Sequence, residues 1–257
     1  MTSSQVLVQT PQAAASRYSL LLTTDAAEVR AAQRLRHDVF AGELGATLHS
    51  LEPDNEQGVD ADRFDAFCDH IVVREDASGE IVGTYRMLPP DRARAAGALY
   101  AEGEFVVDAL TPLRDSLVET GRSCVHRDHR NGAVVGLVWA GIARYMLLTG
   151  NRWLVGCASV PLGDGGALAA GVYDQVLAKN LAPESYRVQP FVPWDPAGVV
   201  RPARAVLPPL LKGYLRLGAW VCGPPALDVD FGCADFLVLL GLDHTDRRYL
   251  RFFLGED

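Results

Sequence analysis

The stretch 116–160 constrains the fold more than any other part of the chain. SLVETGRSCV has strand character, HRDHRNG is a turn, AVVGLVWAGIARYMLLTG is a helix ended by Gly150, and NRWLVGCASV returns as a strand. A helix that follows directly on an arginine- and glycine-bearing turn presents free N–H groups in its first turn, which suits an anion. Arg130 with the backbone of Asn131, Gly132, Ala133 and Val134 is therefore the candidate phosphate site.

The flanking sequence extends this unit in both directions. Tyr18 to Leu22 reads as a strand, followed by a helix behind Asp25 with Ala27, Val29, Ala32, Leu35 and Val39 on one face. Leu48 to Asp62 is an acidic, aperiodic loop long enough to form a lid. CDHIVVRE, DASG and EIVGTYRMLP make a hairpin, because two β-branched runs flank turn chemistry. Residues 1–16 read as a loose tail. GVYDQVLAKNL has helical spacing, the proline-dense FVPWDPAGVVRPARAVLPPLL reads as a surface crossing, and the remainder as a packed segment. The expectation is an α/β chain with a mixed sheet, forming a single domain over 17–257. Its core is expected at about 17–160 and a C-terminal extension at 161–257.

Composition removes several function classes. A length of 257 residues with 49% hydrophobic and 22% charged residues supports a full core and excludes a disordered or disulfide-scaffold protein. The net charge of −8 argues against nucleic acid as a partner, because neutralising phosphates needs a basic surplus. Only Lys179 and Lys212 are lysines, so the basic side chains are almost all arginines, the type that grips carboxylates and phosphates with two parallel bonds. Cys68, Cys124, Cys157, Cys222 and Cys233 form no C-x-x-C pair and are odd in number, which points to a reducing cytoplasm and to no metal site. The N-terminus has no signal-peptide pattern, and no uninterrupted apolar run of about 18 residues occurs.

The order of elements resembles the GNAT acyltransferase fold, and four ordered motifs narrow the resemblance: RLRHDVF, DRFD, GTYRMLP and ETGR. They resemble those of acyl-homoserine lactone synthases and of ornithine-lipid N-acyltransferases, once described as hemolysin-like. Arg36 and Phe40, Asp62 and Asp65, Arg86, and Glu119 with Arg122 fall on the shared positions. The tryptophan that lactone synthases carry shortly after the phenylalanine is absent, whereas GRSCVHRDHRNG, GCASVPL and LPPLLKGYLRLGA look like the ornithine branch. Ala133 and Val135 stand where coenzyme A-using relatives carry glycines, and glycine is what lets backbone approach a diphosphate closely. The resemblance implies transfer of a (3-hydroxy)fatty acyl group from acyl carrier protein, or from acyl-coenzyme A, to the α-amine of ornithine or a similar amino acid. No bound cofactor is implied. The partners are the carrier protein, the amino acid and, for an amphiphilic product, a peripheral membrane surface.

Within that frame Glu119 is the candidate catalytic base, with anchoring of the substrate ammonium as its second role. Arg36, Phe40, Asp62, Asp65, Arg86 and Arg122 are candidate acceptor-binding residues, and for the charged ones a structural ion-pair network is the competing explanation. Cys124 and Cys157 read as small core residues. Asp228, Asp230 and Asp235 read as capping and turn chemistry, although Asp228 and Phe231 fit a D-x-x-F pattern of the ornithine branch. The rivals are a lactone synthase, an acetyl-coenzyme A enzyme, and a non-catalytic lipid-binding module.

Overall fold

The computed structural model describes residues 4–10, 17–49 and 58–245. Along the chain run β1 (Ser4–Gln9), β2 (Tyr18–Thr23), α1 (Ala26–His37), β3 (Asp69–Glu75), β4 (Ile81–Leu88), α2 (Pro90–Ala96) and β5 (Phe105–Val106). They are followed by β6 (Leu117–Val125), α3 (Gly132–Thr149), β7 (Trp153–Pro161), α4 (Ala167–Lys179) and β8 (Gln189–Pro190). The chain closes with α5 (Pro209–Arg216), β9 (Trp220–Val221), β10 (Ala226–Asp228) and β11 (Cys233–Gly241). Two compact units emerge. One holds the described residues up to 96 together with 120–151, and the other holds 97–119 and 152–245. The chain thus leaves the first unit and returns to it, where the sequence suggested a division near residue 160. Strand β6 begins in the second unit and ends in the first.

In the first unit the strand order is β1-β2-β3-β4-β6. The first three pairings are antiparallel. β1 occupies part of the stretch expected as a tail; residues 1–3 and 11–16, and 50–57 of the acidic loop, lie outside the described residues. Side chains alternate between the two faces of the sheet. Leu20 and Ile71 turn to α3, where Gly141 lets the helix close in, because a Cβ there would stand 3.0 Å from both. The other face carries His70 paired in register with Arg86, and Val72 with Thr84, and it meets α1. Asp25 caps α1 by accepting from the N–H groups of Ala27 and Glu28, and Gly150 ends α3 in the left-handed conformation. By length and composition α3 would reach across a membrane, yet ten of its eighteen residues are buried, as in a core helix. Leu20, Ile71, Val72 and Val73 are fully enclosed, each worth roughly 1.5–3 kcal/mol of apolar burial.

In the second unit the opening of β6 pairs in parallel with β7, from Leu117↔Trp153 to Glu119↔Val155. β7 then runs antiparallel to β11 over nine residues, and β11 also pairs with β10 and β9. CADFLVLLG is buried at every position, as a strand covered on both faces must be.

Candidate active site

The motif residues of the first unit converge on one buried ion network. Gln33 and Arg36 lie one helical turn apart on α1 and point to the same side. The guanidinium of Arg36 is wholly enclosed and donates from all three nitrogens. Nε reaches Asp60 Oδ2 at 2.8 Å, Nη1 reaches Asp65 Oδ1 at 2.7 Å, and Nη2 reaches Asp65 Oδ2 at 2.9 Å and the Asp60 carbonyl. Arg86 Nη1 donates to Asp62 Oδ1 at 2.6 Å and to Asp65 Oδ1 at 3.1 Å. Arg122 Nε lies 3.1 Å from Asp60 Oδ2, and its Nη2 lies 3.5 Å from Asp62 Oδ2. Three arginines therefore face three aspartates, and the formal charges cancel.

Local sequence explains how the acids are held. Asp62 Oδ1 accepts the Phe64 N–H at 2.8 Å and Asp65 Oδ2 accepts the Asp62 N–H at 3.0 Å, so the DRFD turn is tied by its own two acids. Gln33 Nε2 and the ring of His70 complete the set: the first donates to Asp65 Oδ2, the second to the Asp65 carbonyl. Burial alone would raise the carboxyls of Asp62 and Asp65, but the arginines outweigh it. Arg86 holds Asp62 below the usual carboxylate range, and Arg36 holds Asp65 well below it. Burial lowers His70 in spite of Asp65, which keeps the ring neutral.

Exposure grades this network from inside to outside. The side chains of Arg36, Asp60, Arg86 and Asp65 are 0–7% exposed, whereas those of Arg122 and Asp62 are 13% and 14% exposed. Arg36 has thus spent its donors inside the protein, and Asp62 with Arg122 is the most exposed pair of the network. Phe40 belongs to a π-helical continuation of α1 at Asp38–Glu43, and its ring is buried.

The other motif residues are engaged differently. Glu119 is buried in the second unit, and its two oxygens accept the N–H groups of Tyr100 at 2.6 Å and Ala101 at 2.8 Å. Arg130 is half-exposed, with Nη2 on Glu43 at 2.7 Å and Nε on the Val125 carbonyl. The side chain of Asn131 caps α3 and takes the N–H groups of Ala133 and Val134, each at 3.1 Å. Of the N–H groups expected to cradle a phosphate, those of Ala133 and Val134 are therefore met by the Asn131 side chain and that of Asn131 by the His129 carbonyl. His129 accepts or donates at Tyr18, and His126 caps a short turn, so neither stands on the ion network. Burial pushes the Cys124 thiol up to about 12, and burial together with Glu104 raises Cys157 well above its ordinary value, so both are protonated; Cys124 is a core thiol, whereas Cys157, expected as one, is half-buried.

A second cluster, in the second unit, lies outside the four ordered motifs. Glu104, Cys157 and Asp235 bring their polar atoms within 4.8 Å of one another, and so do Asp228, Cys233 and Asp235. Asp228 also accepts the Phe231 N–H at 2.9 Å, the turn chemistry expected of it, whereas Asp235, for which the same was expected, is buried within β11. Among the described residues no cationic side chain pairs with these three acids. Burial, then the neighbouring Asp235 and Asp228, push Glu104 up to about 9, and burial raises Asp235. Glu104 therefore carries a proton at neutral pH and shares it with Asp235.

A raised acid favours the folded state at low pH, and that contribution is lost as pH climbs from about 4.5 towards about 9. Glu104→Gln, which never ionises, is expected to flatten this decline and to raise the melting temperature at pH 9 by roughly 5 °C. Thermal unfolding followed from pH 5 to pH 9 checks it; a slope equal to that of the unaltered protein would sink the assignment.

Comparison with known proteins places the chain. A family model described as an acetyltransferase (GNAT) domain matches residues 35–140. An L-ornithine N(alpha)-acyltransferase of Rhodobacter capsulatus is 36% identical over 259 residues, covering 94% of this chain and 96% of that protein. The chain belongs to the L-ornithine N(alpha)-acyltransferase family. Another member, from Rhizobium meliloti, is 35% identical over 92% of this chain and 83% of its own length. Among solved structures, the CoA-dependent acyl-homoserine lactone synthase BjaI superposes with a TM-score of 0.51 at 17% identity, over 90% of this chain and 84% of that one. The lactone synthase LasI gives 0.51 at 13% identity, over 93% and 95%. These likenesses carry the fold, which is GNAT-like with a mixed sheet, and the family makes the protein an acyltransferase.

Proposed function

We propose that this acyltransferase moves a fatty acyl group, 3-hydroxylated where the donor is, from acyl carrier protein to the α-amine of ornithine, giving a lyso-aminolipid. The observation that carries the proposal is the pairing of Asp62 and Arg122 at the outer edge of a closed ion network. An α-amino acid is a zwitterion. A carboxylate beside a guanidinium matches its ammonium and its carboxylate at once, and arginine suits the second because its fork meets two oxygens. Arg36, Asp60, Asp65 and Arg86 hold that pair in place. The names of the relatives support ornithine as the acceptor.

Two features support the carrier protein as donor. The Ala133 and Val134 N–H groups already serve Asn131, and Arg130 is paired with Glu43, which leaves little for a diphosphate. A phosphopantetheine arm carries a single phosphate and asks for less. Glu119, with both oxygens on backbone N–H groups, anchors the Tyr100–Ala101 turn in this scheme, and of the two protons the acceptor ammonium gives up, one leaves on the released thiol and the other goes to solvent.

The test is thiol release from a 3-hydroxyacyl carrier protein, with and without ornithine, with products weighed by mass spectrometry. Ornithine-dependent release and an N-acyl-ornithine mass are expected. Turnover only with acyl-coenzyme A would change the donor, and acylation of S-adenosylmethionine in place of ornithine would overturn the acceptor.

A further inference from the structure

Arg122 meets a neighbour that none of the sequence motifs includes. Its backbone has φ of +52°, which makes it the one non-glycine residue with positive φ among the described residues. Side chains disfavour that region, and a residue stays there only when its surroundings over-determine it. The surroundings here include Asp60, which is 4% exposed. Its Oδ2 accepts Arg36 Nε at 2.8 Å and forms an ion pair with Arg122 Nε at 3.1 Å, a contact of charge without hydrogen-bond geometry. Its carbonyl accepts Arg36 Nη2, and its N–H donates to the Gln33 carbonyl at 3.0 Å. Asp60 is thus fixed from α1 through both backbone and side chain, and one oxygen passes that fixity on to Arg122. Arg36 does not need this second contact, because Asp65 already takes two of its nitrogens.

We propose that Asp60 is a positioning residue for the acyl transfer: it holds Arg122 by the Nε edge and so sets the guanidinium, beside Asp62, against the carboxylate of the acceptor. The proposal rests on the acceptor geometry given under Proposed function. Asp60 itself touches no substrate.

The test compares ornithine with ornithinamide, which keeps both amines and lacks the carboxylate, in the full-length protein and in Asp60→Asn. The unaltered enzyme is expected to have a much lower KM for ornithine than for the amide. In Asp60→Asn the KM for ornithine should rise about tenfold, as the guanidinium loses the buried counter-charge that fixes it. The KM for the amide, the KM for the acyl donor, and kcat should stay within about twofold. A folded Asp60→Asn that still separates ornithine from its amide as well as the unaltered enzyme does, or that loses kcat on both alike, would overturn the positioning role. An unaltered enzyme that does not distinguish the two acceptors would instead overturn the acceptor geometry, and the proposal with it. Should Asp60→Asn not fold, Asp60→Glu keeps the charge for Arg36 and displaces the carboxylate by one methylene. It should lose part of the discrimination, about threefold, and full discrimination there would overturn the role as well.

Discussion

Arg36→Met is expected to lower the melting temperature by about 10 °C while keeping the volume of the side chain. The guanidinium is 0% exposed and its removal takes four hydrogen bonds from Asp60 and Asp65, two acids that are themselves 5–7% exposed. Breaking a buried ion network by removing one partner costs about 3–5 kcal/mol, since the stranded charge loses both water and its counter-charge. At about 2–4 °C per kcal/mol for a chain of this size, the shift follows. Linkage gives the loss a pH signature. Asp65 is depressed in the folded state, so its stabilisation is full above the unfolded carboxylate value, about 4, and drains away as pH falls below it. The unaltered protein should therefore weaken steeply below about pH 4, and the variant less so. Circular dichroism melts between pH 3 and pH 7 measure both effects; equal melting temperatures at pH 7 would mean that the network carries no weight in the fold.

Asp62→Asn should do the opposite: leave the fold nearly intact and weaken the use of ornithine. Asp62 is the outer acid, and without its charge Arg86 still has Asp65 at 3.1 Å. What disappears is the anion offered to the acceptor ammonium. A charge-assisted hydrogen bond at a partly enclosed site is worth about 1.5–3 kcal/mol, so kcat/KM for ornithine should fall by roughly 10²-fold. The loss should sit in KM more than in kcat, because the ammonium is held before any bond to the acyl carbon forms. Initial rates of thiol release over a range of ornithine concentrations separate the two, and a variant with the unaltered KM would remove Asp62 from acceptor binding.

These expectations also show what could be read from the residues alone. Arg36, Asp62, Asp65, Arg86 and Arg122 were legible because each stands in a short motif, and the structure brings all five together. The β3–β4 hairpin and the capped helices α1 and α3 were legible because turn and cap chemistry is local. Asp60 was not, since it sits among several acids of an aperiodic loop and becomes distinct only when Arg36 and Arg122 reach it from 24 and 62 positions away. Glu104 and Asp235 were hidden in the same way: they meet only in the folded second unit, and neither carries a pattern that ties it to the other. The turn before α3 is different. Asparagine is a favoured N-cap, so Asn131 itself signalled that the first free N–H groups of the helix would be met by its side chain.

The left-handed backbone at Arg122 also bears on how such an enzyme can drift. Glycine and asparagine sit there with least strain, so a population selected for sturdiness alone would be drawn towards them, and each would discard the guanidinium. Fold and chemistry pull this codon in opposite directions. Under the proposed acceptor geometry, arginine at position 122 of a distant relative would then read as a sign that the lineage still acylates an amino acid.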